Sequence, residues 1–202
     1  MAETAPPDAG EDAAWVAVST PLTPTALLSL MEDPERLLRV NSQWVFEIWE
    51  WLDRDRFRLR VRNLANDRQW ETRGQVQWLP DGLRLDYQEG IKAFTRMRVE
   101  EDGVGSCLWI IDDYGRLPTA EREKRTDEVD RSLTRWGHDL HRYLAAWARW
   151  SHLGPWRWYM ERVWRRMTPL GRRVARLVFW VTVVEFIVFL MLIAVLVVQS
   201  VE

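Results

Sequence analysis

The stretch RFRLRVR at positions 56–62, followed by QWETRGQVQW at 69–78, decides the fold of this 202-residue chain. In the first stretch, Phe57, Leu59 and Val61 alternate with arginines, and the second stretch also alternates with a period of two. This period is typical of a strand that has one buried and one solvated face. The two stretches therefore predict neighbouring strands of an antiparallel sheet.

More strands are predicted on both sides of this pair. They cover residues 15–19, 43–52, 83–87, 93–99 and 106–111. Two short helices are predicted between residues 23 and 40, because Thr23-Pro24 and Asp33-Pro34 each offer an N-cap residue followed by a proline. Short turns between the later strands predict an antiparallel meander.

A long amphipathic helix is predicted after the sheet, because apolar residues recur every three or four positions from Val129 to Trp147. This order of elements resembles the START-like superfamily, also called SRPBCC or polyketide cyclase/dehydrase-like. The matching stretches are residues 15–40, the strands through Ile111 and the helix around 129–150. The resemblance implies an α+β helix-grip fold, in which a bent antiparallel sheet wraps a long C-terminal helix. It also implies a cavity for lipids, sterols, quinones, polyketides or other apolar molecules.

The candidate cavity residues are large apolar side chains on the predicted inner faces of the strands and on the long helix. They are Trp44, Phe57, Leu59, Trp70, Trp78, Leu85, Tyr87, Trp109, Trp136 and Leu140. Ordinary core packing is the alternative interpretation of the same pattern.

No catalytic residue, metal site or cofactor is predicted. His138 and His141 lie three positions apart on the helix, without Cys, Asp or Glu partners at a recognised metal-binding spacing. Asp112 and Asp113 follow the last predicted strand and are interpreted as solvated loop acids rather than a catalytic pair. The net charge of −2 gives no indication of a nucleic-acid partner.

Residues 177–198, LVFWVTVVEFIVFLMLIAVLVV, contain a single ionisable side chain, Glu185. At about 1.5 Å per residue, a helix of this length spans the roughly 30 Å hydrocarbon core of a bilayer, so one transmembrane helix is predicted. Arginines lie on its N-terminal flank, and none follows it. The positive-inside rule therefore predicts a single-pass protein of the inner (cytoplasmic) membrane with its N-terminal domain in the cytosol. Glu185 is expected to contact a transmembrane protein partner, and a local hydrogen bond is the alternative.

Residues 156–167, WRWYMERVWRRM, predict a helix with aromatic side chains on one face and arginines on the other. We expect it to lie in the headgroup plane, and packing of its apolar face on the protein's own domain is the alternative. The predicted membrane-interface residues are Trp156, Arg157, Tyr159, Arg162, Trp164, Arg165 and Arg166. Pro169 to Gly171 are expected to break the helix before the membrane span.

These patterns predict a disordered acidic tail (1–14), a START-like domain (15–152), a juxtamembrane amphipathic helix (153–171) and a transmembrane anchor with a short tail (172–202). Three functions remain open. The first is a membrane-tethered module that binds an apolar ligand of the lipid or quinone class at the cytosolic membrane face. The second is an accessory or assembly subunit of a larger membrane complex, and the third is a cyclase/dehydrase-type enzyme. The expected partners are membrane lipid, an apolar small molecule and a transmembrane protein.

Overall fold

The structure is a computed structural model, and it describes residues 10, 12–116, 118 and 126–201. The chain divides into two compact units, Met1–Arg165 and Arg166–Glu202. Within the described residues, the strands of the first unit are β1 (Ala13–Thr20), β2 (Trp44–Trp51), β3 (Arg56–Asn63), β4 (Gln69–Leu79), β5 (Gly82–Tyr87), β6 (Phe94–Asp102) and β7 (Gly105–Asp113). Its helices are α1 (Pro24–Met31), α2 (Pro34–Arg39), α3 (Thr126–Trp150) and α4 (Gly154–Arg162).

The strands form one antiparallel sheet in the order β1-β7-β6-β5-β4-β3-β2. Strands β2 to β7 follow one another as a meander, because each pairs with the next along the chain. Helices α1 and α2 carry the chain from β1 at one edge to β2 at the other. The predicted α+β class and the antiparallel meander are confirmed.

Both short helices begin where the sequence predicts. The Ala26 N–H donates to Thr23 Oγ1 over 3.3 Å, and the Arg36 N–H donates to Asp33 Oδ1 over 3.2 Å. Proline follows each cap at the first helical position, where its missing N–H costs no helical hydrogen bond. Each cap therefore satisfies a donor that the helix itself cannot pair.

Strand β3 shows how the sheet separates its two faces. Phe57, Leu59 and Val61 are buried against the core. On the outer face, Arg58 and Arg60 both pair with Glu71 of β4, at 2.7 and 2.6 Å. Two arginines on one carboxylate hold the pKa of Glu71 below its usual range through their hydrogen bonds.

Helix α3 packs against β1 and the inner face of the sheet. Gly137 allows close approach, because a Cβ at this position would meet the Val16 side chain at 2.7 Å. The Trp136 indole N–H donates to the Leu37 carbonyl of α2 over 3.1 Å, and His141 Nδ1 lies 2.9 Å from the Ser19 carbonyl. The apolar stripe predicted on this helix is buried from Leu133 to Trp147.

Two strand boundaries change the assignment of residues made from the sequence. Strand β1 begins at Ala13, so the last two residues of the predicted tail belong to the sheet. Residues 1–9 and 11 of that tail lie outside the described part of the chain. Strand β7 continues to Asp113, and therefore Asp112 and Asp113 are strand residues rather than loop acids.

The predicted continuous helix over residues 156–167 is divided into α4, which ends at Arg162, and a 3-10 turn at Trp164–Arg166.

The second unit contains α5 (Pro169–Val201). A break before this helix is present as predicted, but it lies at Met167 and Thr168. The Gly171 N–H donates to Thr168 Oγ1 over 3.2 Å, so Pro169 and Gly171 belong to the first turn of the helix. Among the residues that can be described, its segment Pro169–Leu196 is the one helix long and apolar enough to cross a membrane, judged by length and composition.

Candidate functional site

A cluster of hydrogen-bonded polar side chains lies in the largely apolar interior of the first unit. We call Tyr87, Lys92, Thr95, Asp112 and Tyr114 the Lys92–Asp112 cluster. The Lys92 ammonium lies 2.5 Å from Asp112 Oδ2, and the Thr95 hydroxyl donates to Asp112 Oδ1 over 2.5 Å. Tyr87 donates to Thr95 Oγ1 over 3.1 Å, and Tyr114 donates to Asp112 Oδ2 over 3.5 Å. Asp112 is only 1% exposed and Lys92 9%, so both charges are largely removed from water.

The sheet register brings Asp112 and Thr95 together. Asp112 shares the inner face of β7 with Leu108 and Ile110, since alternate residues of a strand point to the same side. Thr95 on β6 is its direct cross-strand partner. Directly opposed side chains in an antiparallel pair lie within hydrogen-bonding reach. The carboxylate is therefore placed by regular secondary structure.

Lys92 reaches the cluster from the irregular loop 88–93, which folds over the Trp70 ring. The Trp70 indole N–H donates to the Glu89 carbonyl over 3.2 Å, and the Ala93 N–H donates to the Asp113 carbonyl over 2.8 Å. Gly90 has a φ of +107°, and a Cβ at this position would overlap the Trp70 indole. Only glycine tolerates both conditions, so this residue allows the loop to carry Lys92 inward.

Two aromatic rings lie close to the Lys92 ammonium group. Lys92 Nζ lies 5.2 Å from the centroid of Trp44 and 5.9 Å from that of Trp136, within the range of a cation–π interaction. The two tryptophans stack on each other with their centroids 6.4 Å apart. A region of low polarity strengthens the attraction between Lys92 and Asp112, but it also makes each charge costly without the other.

The phenol of Tyr87 acts as a donor in this cluster. Burial raises the pKa of Tyr87 well above its ordinary value, and the negative charge of Asp112 adds to the shift. The hydroxyl therefore keeps its proton and donates to Thr95.

Most of the predicted cavity residues do lie on the inner side of the sheet. Phe57, Leu59, Leu85, Tyr87, Trp136 and Leu140 are buried in one core cluster together with Trp44, and the half-buried Trp70 packs against it. The aromatic members touch one another: the ring centroids of Trp44 and Trp70 lie 6.1 Å apart, and those of Trp70 and Tyr87 lie 5.2 Å apart. These contacts form a continuous aromatic wall beside the Lys92–Asp112 cluster.

Two predicted cavity residues lie elsewhere. Trp78 is 49% exposed near the end of β4. Trp109 was assigned to the wrong face: it alternates with the buried Leu108 and Ile110 and therefore lies on the outer side of the sheet. There its indole N–H donates to Glu100 over 2.8 Å, and its ring centroid lies 5.6 Å from that of Trp15.

The predicted membrane-interface residues are divided between two sides of the segment 154–166. Trp156 and Trp164 turn inward, where their ring centroids lie 5.5 Å from those of Trp147 and Tyr143, respectively. Arg165 is half-buried and forms an ion pair with Asp33 of the α2 cap. The remaining four residues, Arg157, Tyr159, Arg162 and Arg166, are exposed. The apolar side of this segment thus packs on the protein's own domain.

The hydroxyl of Tyr143, whose ring packs on Trp164, has a shifted pKa. Burial raises the pKa of Tyr143 to about 12, and the positive charge of Arg36 partly opposes the shift.

Comparison with solved structures identifies the fold of the first unit. A scan against known protein families finds no match, and a search of curated proteins finds none either. The crystal structure of protein Ms6760 from Mycobacterium smegmatis matches with 10% identity and a TM-score of 0.51, covering 66% of this chain and 90% of that one. A crystal structure of a Rhodobacter sphaeroides protein matches with 15% identity and a TM-score of 0.50, covering 69% and 95% of the two chains. The chain has a helix-grip fold. The solution structure of an AHSA1-like protein from Aeromonas hydrophila also aligns, with 11% identity over 64% of this chain and 94% of that one, at a TM-score of 0.40.

Sequence reasoning missed Lys92, Thr95 and Tyr114 as site residues. Asp112 has the parity of Leu108 and Ile110, but the sequence analysis placed Trp109, of the opposite parity, on the inner face, so this parity did not identify Asp112. No comparable pattern marks Lys92, since its position depends on a loop held by long-range contacts.

Proposed function

We propose that the first unit is a binding module for an apolar molecule with one polar end, tethered to the cytosolic face of the inner membrane by α5. The observation that carries this proposal is the buried Lys92–Asp112 pair inside an aromatic interior. A buried ion pair is often no more stabilising than apolar residues of the same volume. Its presence next to the aromatic side chains of the core therefore favours a role in recognition.

The chemistry of the cluster suggests which end of the ligand it would bind. Lys92 has three N–H donors, and Asp112 takes up one of them. A second donor suits a carbonyl, carboxylate or phosphate oxygen, while the Trp44 and Trp136 rings suit the adjoining apolar part. Lipids and quinones both combine an oxygen-bearing head with an apolar body, so both belong to the class that this interior would accept.

Copurification of bound molecules tests this proposal. The full-length protein is extracted in detergent, and the small molecules that accompany it are quantified by mass spectrometry. We expect the wild-type protein to carry an apolar molecule with an oxygen-bearing head. The Lys92→Met variant should carry at least about tenfold less of this molecule, because a hydrogen bond to a charged group contributes about 1.5–3 kcal/mol. The matched control, Arg54→Met, removes an exposed cation from the β2–β3 turn and should leave the yield unchanged. Equal yields from all three proteins would refute a role for the cluster in binding.

The tether and its orientation rest on α5 and on the arginines that precede the apolar stretch. A cysteine at Ser200, in a Cys107→Ser background, should react with an impermeant reagent added from outside the cell. Labelling that requires access from the cytosolic side would reverse the proposed orientation.

An accessory role in a membrane complex is the second candidate, favoured by Glu185. This carboxyl lies within the apolar segment Pro169–Leu196, where an ionisable group is costly unless it meets a polar partner. A polar contact between transmembrane helices contributes about 0.6–2 kcal/mol, so Glu185→Leu should weaken association with a partner about 3- to 30-fold. Crosslinking yields in native membranes measure this change, with Thr182→Leu as the control one turn away. An unchanged yield in Glu185→Leu would remove the main support for the accessory role.

A further inference from the structure

The end of α3 and the outer side of α4 form an exposed surface that combines aromatic and basic side chains. Its apolar members are Trp150, Leu153, Trp158 and Tyr159, and the exposed fraction of Trp158 reaches 60%. Its basic members are Arg149, Arg157 and Arg162, all of which are exposed. We call these seven residues the aromatic–arginine surface.

Packing of the opposite side of α4 determines which side chains face outward. Trp156 and Met160 pack against the hydrophobic core, and Glu161 lies 3.6 Å from Arg36 of α2. Since residues on opposite sides of a short helix cannot both be buried on one domain, these contacts leave Trp158 and Arg162 exposed. The surface is therefore a consequence of how α4 is attached to the first unit.

The charge of this surface is positive. From position 149 to 166 the sequence has one acidic residue, Glu161, and this residue faces Arg36 on the inner side. Arg149 also lies against the Trp150 ring, with its guanidinium carbon 5.0 Å from the centroid. No carboxylate of this segment therefore competes with an external anion for the three arginines of the aromatic–arginine surface.

We infer that the aromatic–arginine surface lies on an anionic bilayer. Tryptophan and tyrosine are enriched at the membrane–water interface, because their rings are apolar and their N–H or O–H groups are polar. Each arginine near an anionic leaflet strengthens binding about fivefold. The chain also enters the apolar helix α5 at Pro169, shortly after this surface, so a membrane that contains α5 is within reach of it.

This inference rests on the membrane tether in the proposed function, and it does not depend on what the interior binds. It gives the segment 149–166 two roles on opposite sides. The inner side, with Trp156 and Trp164, belongs to the domain core, and the outer side contacts lipid.

Depth-sensitive spin labelling of the full chain in nanodiscs tests the inference. In a Cys107→Ser background, a nitroxide is attached at Gly154→Cys, because a Cβ at this exposed position meets no atom within 4 Å. The reference label is placed at Val104→Cys, in the fully exposed β6–β7 turn. In nanodiscs with about a third anionic lipid, we expect the label at 154 to be at least fivefold less accessible to a water-soluble nickel complex than the label at 104.

Charge reversal provides the matched comparison. The triple variant Arg149→Glu, Arg157→Glu and Arg162→Glu should lose the protection, because about fivefold per arginine amounts to a hundredfold or more for three. The control triple variant, Arg54→Glu, Arg68→Glu and Arg73→Glu, makes the same charge change at exposed positions of the sheet region and should keep the protection.

Three results would overturn the inference. One is equal accessibility of the two labels in wild type. Another is protection that persists in the Arg149, Arg157 and Arg162 triple variant. The last is equal protection in nanodiscs of zwitterionic lipid alone, which would show that the arginines do not bind anionic lipid. Failure of the wild-type chain to enter nanodiscs at all would instead refute the tether in the proposed function, and the inference would fall with it.

Discussion

Replacement of Lys92 by methionine tests the energetic description of the interior most directly. The change removes the ammonium group but keeps an unbranched side chain of similar length, which can fill the space beside Trp44 and Trp136. Asp112 would then have lost its cation and would keep only the Thr95 hydroxyl at 2.5 Å and the Tyr114 hydroxyl at 3.5 Å as polar partners.

The expected cost is large because Asp112 is 1% exposed and water cannot replace the lost cation. Removal of one member of a buried ion pair typically costs about 3–5 kcal/mol. For a domain of this size, 1 kcal/mol shifts the melting temperature by about 2–4 °C, so Lys92→Met should melt roughly 6–20 °C below wild type.

A second substitution separates lost charge from lost packing. Lys92→Met combined with Asp112→Asn removes both charges but keeps an acceptor for Thr95, and the double variant should recover most of the lost stability. Thermal unfolding of the full-length protein in detergent, followed by near-ultraviolet circular dichroism, measures all three proteins. A loss below about 1 kcal/mol in Lys92→Met, or a double variant no more stable than the single one, would show that the pair is solvated and the reasoning wrong.

Three further outcomes are expected from the same unfolding assay. Gly90→Ala should cost about 2–4 kcal/mol of stability, because a positive φ there is combined with overlap of the Trp70 ring. Gly103→Ala, at a position with a positive φ but open space, should cost about 1 kcal/mol. Similar losses in the two variants would contradict the role of Gly90 in shaping the loop 88–93. Trp164→Ala should cost about 2–3 kcal/mol of stability because its ring packs on Tyr143, whereas Trp158→Ala should cost under about 0.5 kcal/mol because its side chain is exposed. The reverse order would show that the inner and outer sides of the segment 154–166 are misassigned. Stability should fall between pH 10 and about 12, because the unfolded chain releases the Tyr143 proton at lower pH than the folded one, and Tyr143→Phe should flatten this slope.

Much of the fold followed from short-range patterns. Helix starts at Thr23 and Asp33 were predicted because a cap and its proline act within one turn, and the structure shows both cap hydrogen bonds. The strand around Phe57 was predicted because the alternation of arginine with apolar residues separates the two faces without ambiguity.

Alternation of apolar and polar residues could not identify the buried face of a strand that has apolar residues on both faces. In β7, Trp109 and Ile111 alternate with Leu108 and Ile110, so the period does not reveal which pair points into the core. Pairing with β1 and β6 assigns Leu108 to the interior, and Asp112 follows it there.

The sequence by itself determined the antiparallel meander, the capped helices and one apolar helix, because those features depend on residues that are neighbours along the chain. Only the tertiary structure decided that Lys92 reaches Asp112, since that contact requires Gly90 and Trp70 to shape a loop against a distant strand. It also decided that Trp164 packs on Tyr143, because an apolar helix face gains similar free energy from a bilayer and from a protein core. Apolar burial has no direction of its own, and the available partner surface determines which side chains it covers.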